Sequence, residues 1–233
     1  MRYALSTALI LFVVSFSVAP PVAQAADGVA AVVYKPPLRG APASRIGGGT
    51  RGTGEGDFVL NVLAPDHTGR TSMAQPTLYW YASGPATASV EVVVIGELAE
   101  KPLLSKNIRI TSGGVQSLDL SRNGVSLKPD TEYEWFVSVV PDSTQRSKDV
   151  TSGGTIRRVA LDPDVQARAA ATAGERQAPG VYAEAGFWYD AIDSLSRLIV
   201  RYPGDAGLRA QRAALLEQVG LPAAAAHDKV GAR

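Results

Sequence analysis

The spacing of apolar residues changes three times along this chain. Over residues 4–18 they are nearly continuous. Over 58–161 they come in short runs separated by turn residues, and several runs alternate with polar positions. Beyond residue 161 they recur every three or four positions. A period of two marks a half-buried strand, and one near 3.6 an amphipathic helix. The pattern therefore predicts an all-β region followed by a helical one. Strands are predicted at 58–63, 77–81, 89–95, 103–111, 115–120, 132–140 and 155–161. In 132–140, Tyr133, Trp135, Val137 and Val139 fall on one side, with Glu134, Phe136, Ser138 and Val140 on the other. Gly113-Gly114 between two runs predicts a hairpin. So many short strands over 58–161 predict an antiparallel β-sandwich.

The helical part opens at Asp162-Pro163-Asp164, a capping carboxylate, a first-turn proline and an acid near the positive end of the helix dipole. Alanine-rich sequence over 164–173 follows. Tyr182, Ala191, Leu195 and Pro203 then follow the Y…A-x3-F…P spacing of the tetratricopeptide repeat, with leucine for phenylalanine. One repeat length of 34 residues carries Gly186 to Gly220 and Tyr182 to Leu216. The segment 182–203 resembles a degenerate unit of that family, its first helix truncated by Pro179-Gly180. A helical hairpin and part of a second are expected over 162–221, and a tail over 222–233.

Leu127-Lys128-Pro129-Asp130-Thr131-Glu132-Tyr133 resembles the L-x-P-x-T-x-Y stretch of fibronectin type III domains. The resemblance implies that Tyr133 opens a core strand and that its hydroxyl bonds back to upstream backbone. Trp80 stands where such domains often place a core tryptophan. The fold implied is a fibronectin type III/immunoglobulin-like β-sandwich at 57–161 with a C-terminal α-helical hairpin region.

Four further strings carry a second resemblance. They are Pro36-Pro37, the glycine-rich run from Arg45 to Gly52, the run from Pro76 to Tyr81, and the run from Tyr182 to Ala191. Together they resemble the bacterial, chiefly cyanobacterial, family catalogued as domain of unknown function 928. Members often carry two cysteines, where this chain has Thr53 and Val140-Pro141. The resemblance implies no activity.

Composition narrows the function classes. Arg2 is the only charged residue before Asp27, and Ala23-Gln24-Ala25 follows the apolar stretch, so 1–25 is expected to be a signal peptide cleaved near Ala25. That stretch is short of the roughly 20 residues a spanning helix needs. An exported chain, periplasmic or extracellular, with no transmembrane segment is expected. The formal charge of +1 falls to zero without Arg2, which excludes the basic footprint of a nucleic-acid binder. The chain has no cysteine, so disulfides, thiol catalysis and thiolate metal sites are excluded. Residues 26–56 read as a Pro/Gly-rich basic arm, with Ile46 expected to hold it against the sandwich.

Candidate chemistry is sparse. Gly47 to Gly52 formally fits G-x-G-x-x-G but lacks the flanking strand and helix that dinucleotide binding requires. His67 sits in a turn-like Pro-Asp-His-Thr-Gly stretch and His227 in the expected tail, and neither has the neighbours of a catalytic base. No ligand spacing suggests a metal. No catalytic residue, cofactor or metal is assigned. Groove-lining positions of the repeat register, such as Gly180, Ala183 and Ala214, are mostly small. Candidate binding residues are Arg45 and Arg51 of the arm, Trp188, and Asp193, Arg197 and Arg201 on the polar side of the second helix. For Trp188, a core position in the repeat register is the favoured reading over partner contact. The expected function is a non-catalytic module for an exported or envelope protein partner, the alternative a carbohydrate- or envelope-polymer-binding module using Tyr79 and Tyr81, and a third possibility a hydrolase with an unrecognised site.

Overall fold

The computed structural model describes residues 32–37, 45, 58–96, 99–171 and 175–231. The segment expected to be a signal peptide, most of the arm, Arg51 and the glycine-rich run from Ile46 to Gly52 lie outside the described residues.

The described residues hold eight strands and then five α-helices. The strands are β1 (Leu60–Val62), β2 (Gly69–Thr71), β3 (Thr77–Ala82), β4 (Ser89–Gly96), β5 (Leu104–Ile108), β6 (Gly114–Asp119), β7 (Glu132–Val140) and β8 (Val150–Arg158). They form a three-stranded sheet in the order β1-β3-β6 and a five-stranded sheet in the order β2-β8-β7-β4-β5. All pairings are antiparallel except β2 with β8. Alternation along β7 buries Tyr133, Trp135, Val137 and Val139, and along β3 it buries Leu78, Trp80 and Ala82. The Tyr133 hydroxyl accepts the Lys128 backbone N–H at 3.1 Å.

Three strand expectations change. Gly113-Gly114 is not a hairpin, because β5 pairs with β4 in one sheet and β6 with β3 in the other. The glycines are needed where the chain changes sheets: a Cβ on Gly113 would lie 2.8 Å from the Ser83 carbonyl oxygen, and Gly114 has φ +117. β8 begins at Val150 rather than 155, running through Gly153-Gly154. Side chains there would meet Phe136 Cδ1 at 2.4 Å and Ala64 Cβ at 2.5 Å, so the strand accepts only glycine at those points. β2 is three residues long and has no alternation for the sequence to display.

The helices are α1 (Pro163–Ala171), α2 (Ala178–Glu184), α3 (Trp188–Arg201), α4 (Ala206–Gln218) and α5 (Pro222–Val230). The expected tail is therefore α5, which starts on a first-turn proline and buries Ala224, Ala225 and Asp228. Gly186 (φ +80) joins α2 to α3 and Gly220 (φ +70) joins α4 to α5, both left-handed and one repeat length apart. No described helix is long and apolar enough to cross a membrane.

Sheets and helices share one hydrophobic core. Its link is α3, whose first turn inserts aromatic rings between the layers. Trp188 Nε1 donates to the Leu63 carbonyl at 2.8 Å. The Tyr189 hydroxyl accepts from Trp135 Nε1 and donates to the Thr155 carbonyl, each at 2.9 Å. Gly69 is glycine because a Cβ there would stand 2.6 Å from the Tyr189 ring. The change of periodicity near residue 161 is thus a change of secondary structure within one core.

Candidate functional site

The sequence-derived candidates that the structure describes are held by internal partners. Arg45 donates to the carbonyls of Ala64 (3.2 Å), Val219 (2.9 Å) and Gly220 (3.0 Å), two of which follow the C-terminus of α4. It supplies hydrogen bonds that helix-end carbonyls otherwise lack. Trp188 is fully buried, so its core position is the one it takes. Asp193, expected on an exposed face, is buried and accepts from the Tyr79 hydroxyl at 2.9 Å. Arg197 pairs with Asp193 at 2.9 Å, and Arg201 pairs with Glu175.

The arm meets the helices as well as the sheet region. Tyr34 N–H donates to Gln218 Oε1 at 2.8 Å, Gln218 Nε2 donates to the Val32 carbonyl at 2.9 Å, and Lys35 N–H donates to the Ala183 carbonyl at 3.1 Å. Residues 32–37 thus lie against Ala183, one of the predicted groove positions. On the other side, the Tyr34 ring stacks on His67, and its hydroxyl lies 2.9 Å from His67 Nε2. His67 Nδ1 lies 3.1 Å from Asp66 Oδ1. His67 is therefore held between the arm and Asp66 rather than standing free in a turn. Burial drives the Tyr34 hydroxyl well above the usual tyrosine range, the opposite of what a nucleophile needs.

Two buried carboxyls on α3 are displaced in proton affinity. Burial pushes Asp190 up to about 6, against the pull of hydrogen bonds from Ser72. Ser72 N–H donates to Asp190 Oδ2 at 3.0 Å, and its hydroxyl donates to Oδ1. Burial also raises Asp193, opposed by Arg197 and Tyr79. Both carboxyls fasten α3 to the strands beneath it, and their oxygens are taken up by those contacts.

A cleft of about 700 Å3 lies between the three-stranded sheet and α3, α4 and α5. Tyr79, Val115 and Ser117 line the sheet side; Arg197, Arg201, Arg209, Arg212 and His227 line the helical side, and no carboxylate lines it. Three of these arginines are paired. Arg212 makes a buried two-pronged ion pair with Asp228, both contacts at 2.7 Å, and also donates to Ser196 Oγ at 2.9 Å. Arg209 has no ion pair among the described residues, and its Nε is buried without an acceptor. His227 packs against Tyr81, ring centroids 5.5 Å apart. Tyr79 and Tyr81 are half-buried under the helices rather than forming an open aromatic platform. Sequence reading missed Arg209 and Arg212, whose signal is their three-residue spacing on one helical face. It also set His227 aside with the tail.

The family model described as Domain of Unknown Function (DUF928) matches residues 46–228, most of the chain and both halves of the fold. The chain belongs to that family. A search of curated proteins finds no match. The DUF928 match begins one residue after Arg45 and ends at Asp228, the partner of Arg212, so it spans every residue of the cleft. Among the described residues of this DUF928 chain, no group of three or more His, Asp or Glu is arranged to hold a metal ion.

Proposed function

We propose that this DUF928 chain is an exported, non-catalytic module that binds a protein partner through the cleft between its three-stranded sheet and its C-terminal helices. The observation that carries the reading is the make-up of that cleft: arginines, hydroxyls and one histidine, with the adjoining carboxylates Asp193, Asp228 and Glu175 already in ion pairs. Such a surface binds anionic groups but offers no acid–base pair to move a proton during a reaction. Export is supported by the N-terminal apolar stretch and the Ala23-Gln24-Ala25 string.

The orders β1-β3-β6 and β8-β7-β4-β5, with a tyrosine opening β7 and bonded to backbone five residues upstream, support a fibronectin type III-like sandwich. The left-handed glycines at Gly186 and Gly220 support a tetratricopeptide-like pair of hairpins. Both folds commonly act as scaffolds, which is an argument from analogy.

The test is affinity capture from a cell-envelope extract with the purified chain and with an Arg201→Glu/Arg209→Glu variant. Recovery of one stoichiometric protein by the parent and not by the variant supports the proposal. Retention on peptidoglycan or glycan with no protein recovered favours the polymer-binding alternative. Turnover of an envelope substrate by the purified chain refutes the non-catalytic reading. Mass spectrometry of the exported chain checks the processing site, expected before Ala26.

A further inference from the structure

Resting on that reading, we infer that the cleft is one end of a groove that receives an extended acidic peptide segment of the partner along the edge of β6. A second cavity, of about 570 Å3, adjoins the first and shares Tyr79, Ser117 and Arg197 with it. Its far end carries Lys106 and Arg122. The two adjoining cavities thus place Arg209 and Arg201 on one side of Arg197, and Lys106 and Arg122 on the other. The acid lining it, Asp119, accepts from Ser121 and lies 3.6 Å from Arg122. An excess of positive charge along a groove selects a chain carrying several negative charges.

The second observation is backbone. β6 pairs with β3 on one side and has no strand on the other among the described residues. Gly114, Val115, Ser117 and Asp119 line the groove along its length. A free strand edge offers a row of amide and carbonyl groups that an extended peptide can match, with alternate side chains turned toward the protein. Six residues of β6 span about 20 Å at roughly 3.3 Å per residue, room for a peptide of similar length. Arg209, with its buried and unsatisfied Nε, is the anchor for an acidic side chain. A polysaccharide has no backbone to pair with β6, so a peptide is the favoured occupant.

The probe is a capped peptide of alternating Glu and Val, titrated into the purified chain and followed by fluorescence anisotropy and amide hydrogen exchange. Binding about tenfold tighter than the Gln-Val counterpart is expected, weakening with salt. Slowed exchange is expected at the β6 amides, together with a loss of about tenfold when alternate peptide amides are N-methylated. Arg209→Gln should weaken binding several-fold while Arg168→Gln, on α1 outside the groove, leaves it unchanged. A thermal melt confirms that each variant folds; if Arg209→Gln does not, Arg201→Gln takes its place. Equal binding of the Gln peptide, no protection in β6, or no effect of the folded groove variant overturns the inference. So does equal binding of polygalacturonate together with insensitivity to N-methylation. Challenging the captured partner with the Glu-Val peptide separates the two claims. Capture that the peptide fails to displace sinks the groove and leaves the module; no capture sinks the module even if the peptide binds.

Discussion

Single polar side chains do much of the joining here. Arg45 ties the arm to the end of α4 and to the loop after β1 through three carbonyls. Hydrogen bonds from charged donors are worth about 1.5–3 kcal/mol, and a buried acceptor left without its donor costs a similar amount. Arg45→Ala should therefore lower unfolding free energy by roughly 2 kcal/mol, read from urea denaturation. Asp190 gives a pH signature. Burial lifts its carboxyl to about 6 in the folded chain, whereas an unfolded aspartate titrates at about 3.9. The folded state thus holds the proton more tightly, and the stability this group adds is full below about pH 4 and lost as pH rises through about 6. Asp66, Asp119, Asp142 and Asp205 are lowered by their hydrogen bonds and push the other way as pH falls. The wild type is therefore compared with Asp190→Asn, which keeps those four. Between pH 4.5 and 7.5 the wild type should lose stability relative to the variant, measured as the difference in melting temperature. An unchanged difference would show that Asp190 stays ionised throughout.

At the scale of elements, two glycines in one hairpin make opposite predictions. Gly186 has φ +80, and a Cβ there would stand 3.0 Å from the Lys35 carbonyl oxygen of the arm. Gly186→Ala should destabilise by about 1–2 kcal/mol, from the left-handed backbone and from pushing the arm away. Gly180, in the first turn of α2, has open space around its missing Cβ. Gly180→Ala should stabilise by about 0.4–1 kcal/mol by restricting the unfolded chain. Equilibrium denaturation of the pair checks both signs, and equal effects at the two sites would contradict this account of the turn.

For the whole molecule, the packing of α3 decides whether sheets and helices behave as one unit. Trp188 and Tyr189 sit in the core shared by both layers, each bonded to the β region. Trp188→Ala should cost about 3–5 kcal/mol, as for other large aromatic truncations. Helix content by circular dichroism and tryptophan fluorescence should fall in one coincident transition in the wild type. Two separated transitions would mean that the β region and the helices fold as independent domains.

Periodicity alone located strands in all seven predicted segments and placed the onset of helix, because alternating and 3.6-residue patterns are local and record which face is buried. The two motif resemblances marked Gly186 and Gly220 as helix-end turns and Tyr133 as the start of a strand whose hydroxyl bonds back to upstream backbone, since those roles depend on a few nearby residues. What local pattern could not assign depends on partners far away in the chain. β2 exists only because β8 lies beside it, and Gly113-Gly114 reads as a hairpin until β6 is seen to pair with β3. Asp193 looks exposed on a helical wheel, yet the three-stranded sheet covers it. The cleft is the clearest case: Arg209, His227 and Ser117 belong to α4, α5 and β6, and no local pattern links them. Their shared site arises when α3 docks on the sheets and carries the following helices over β6, a step governed by long-range packing.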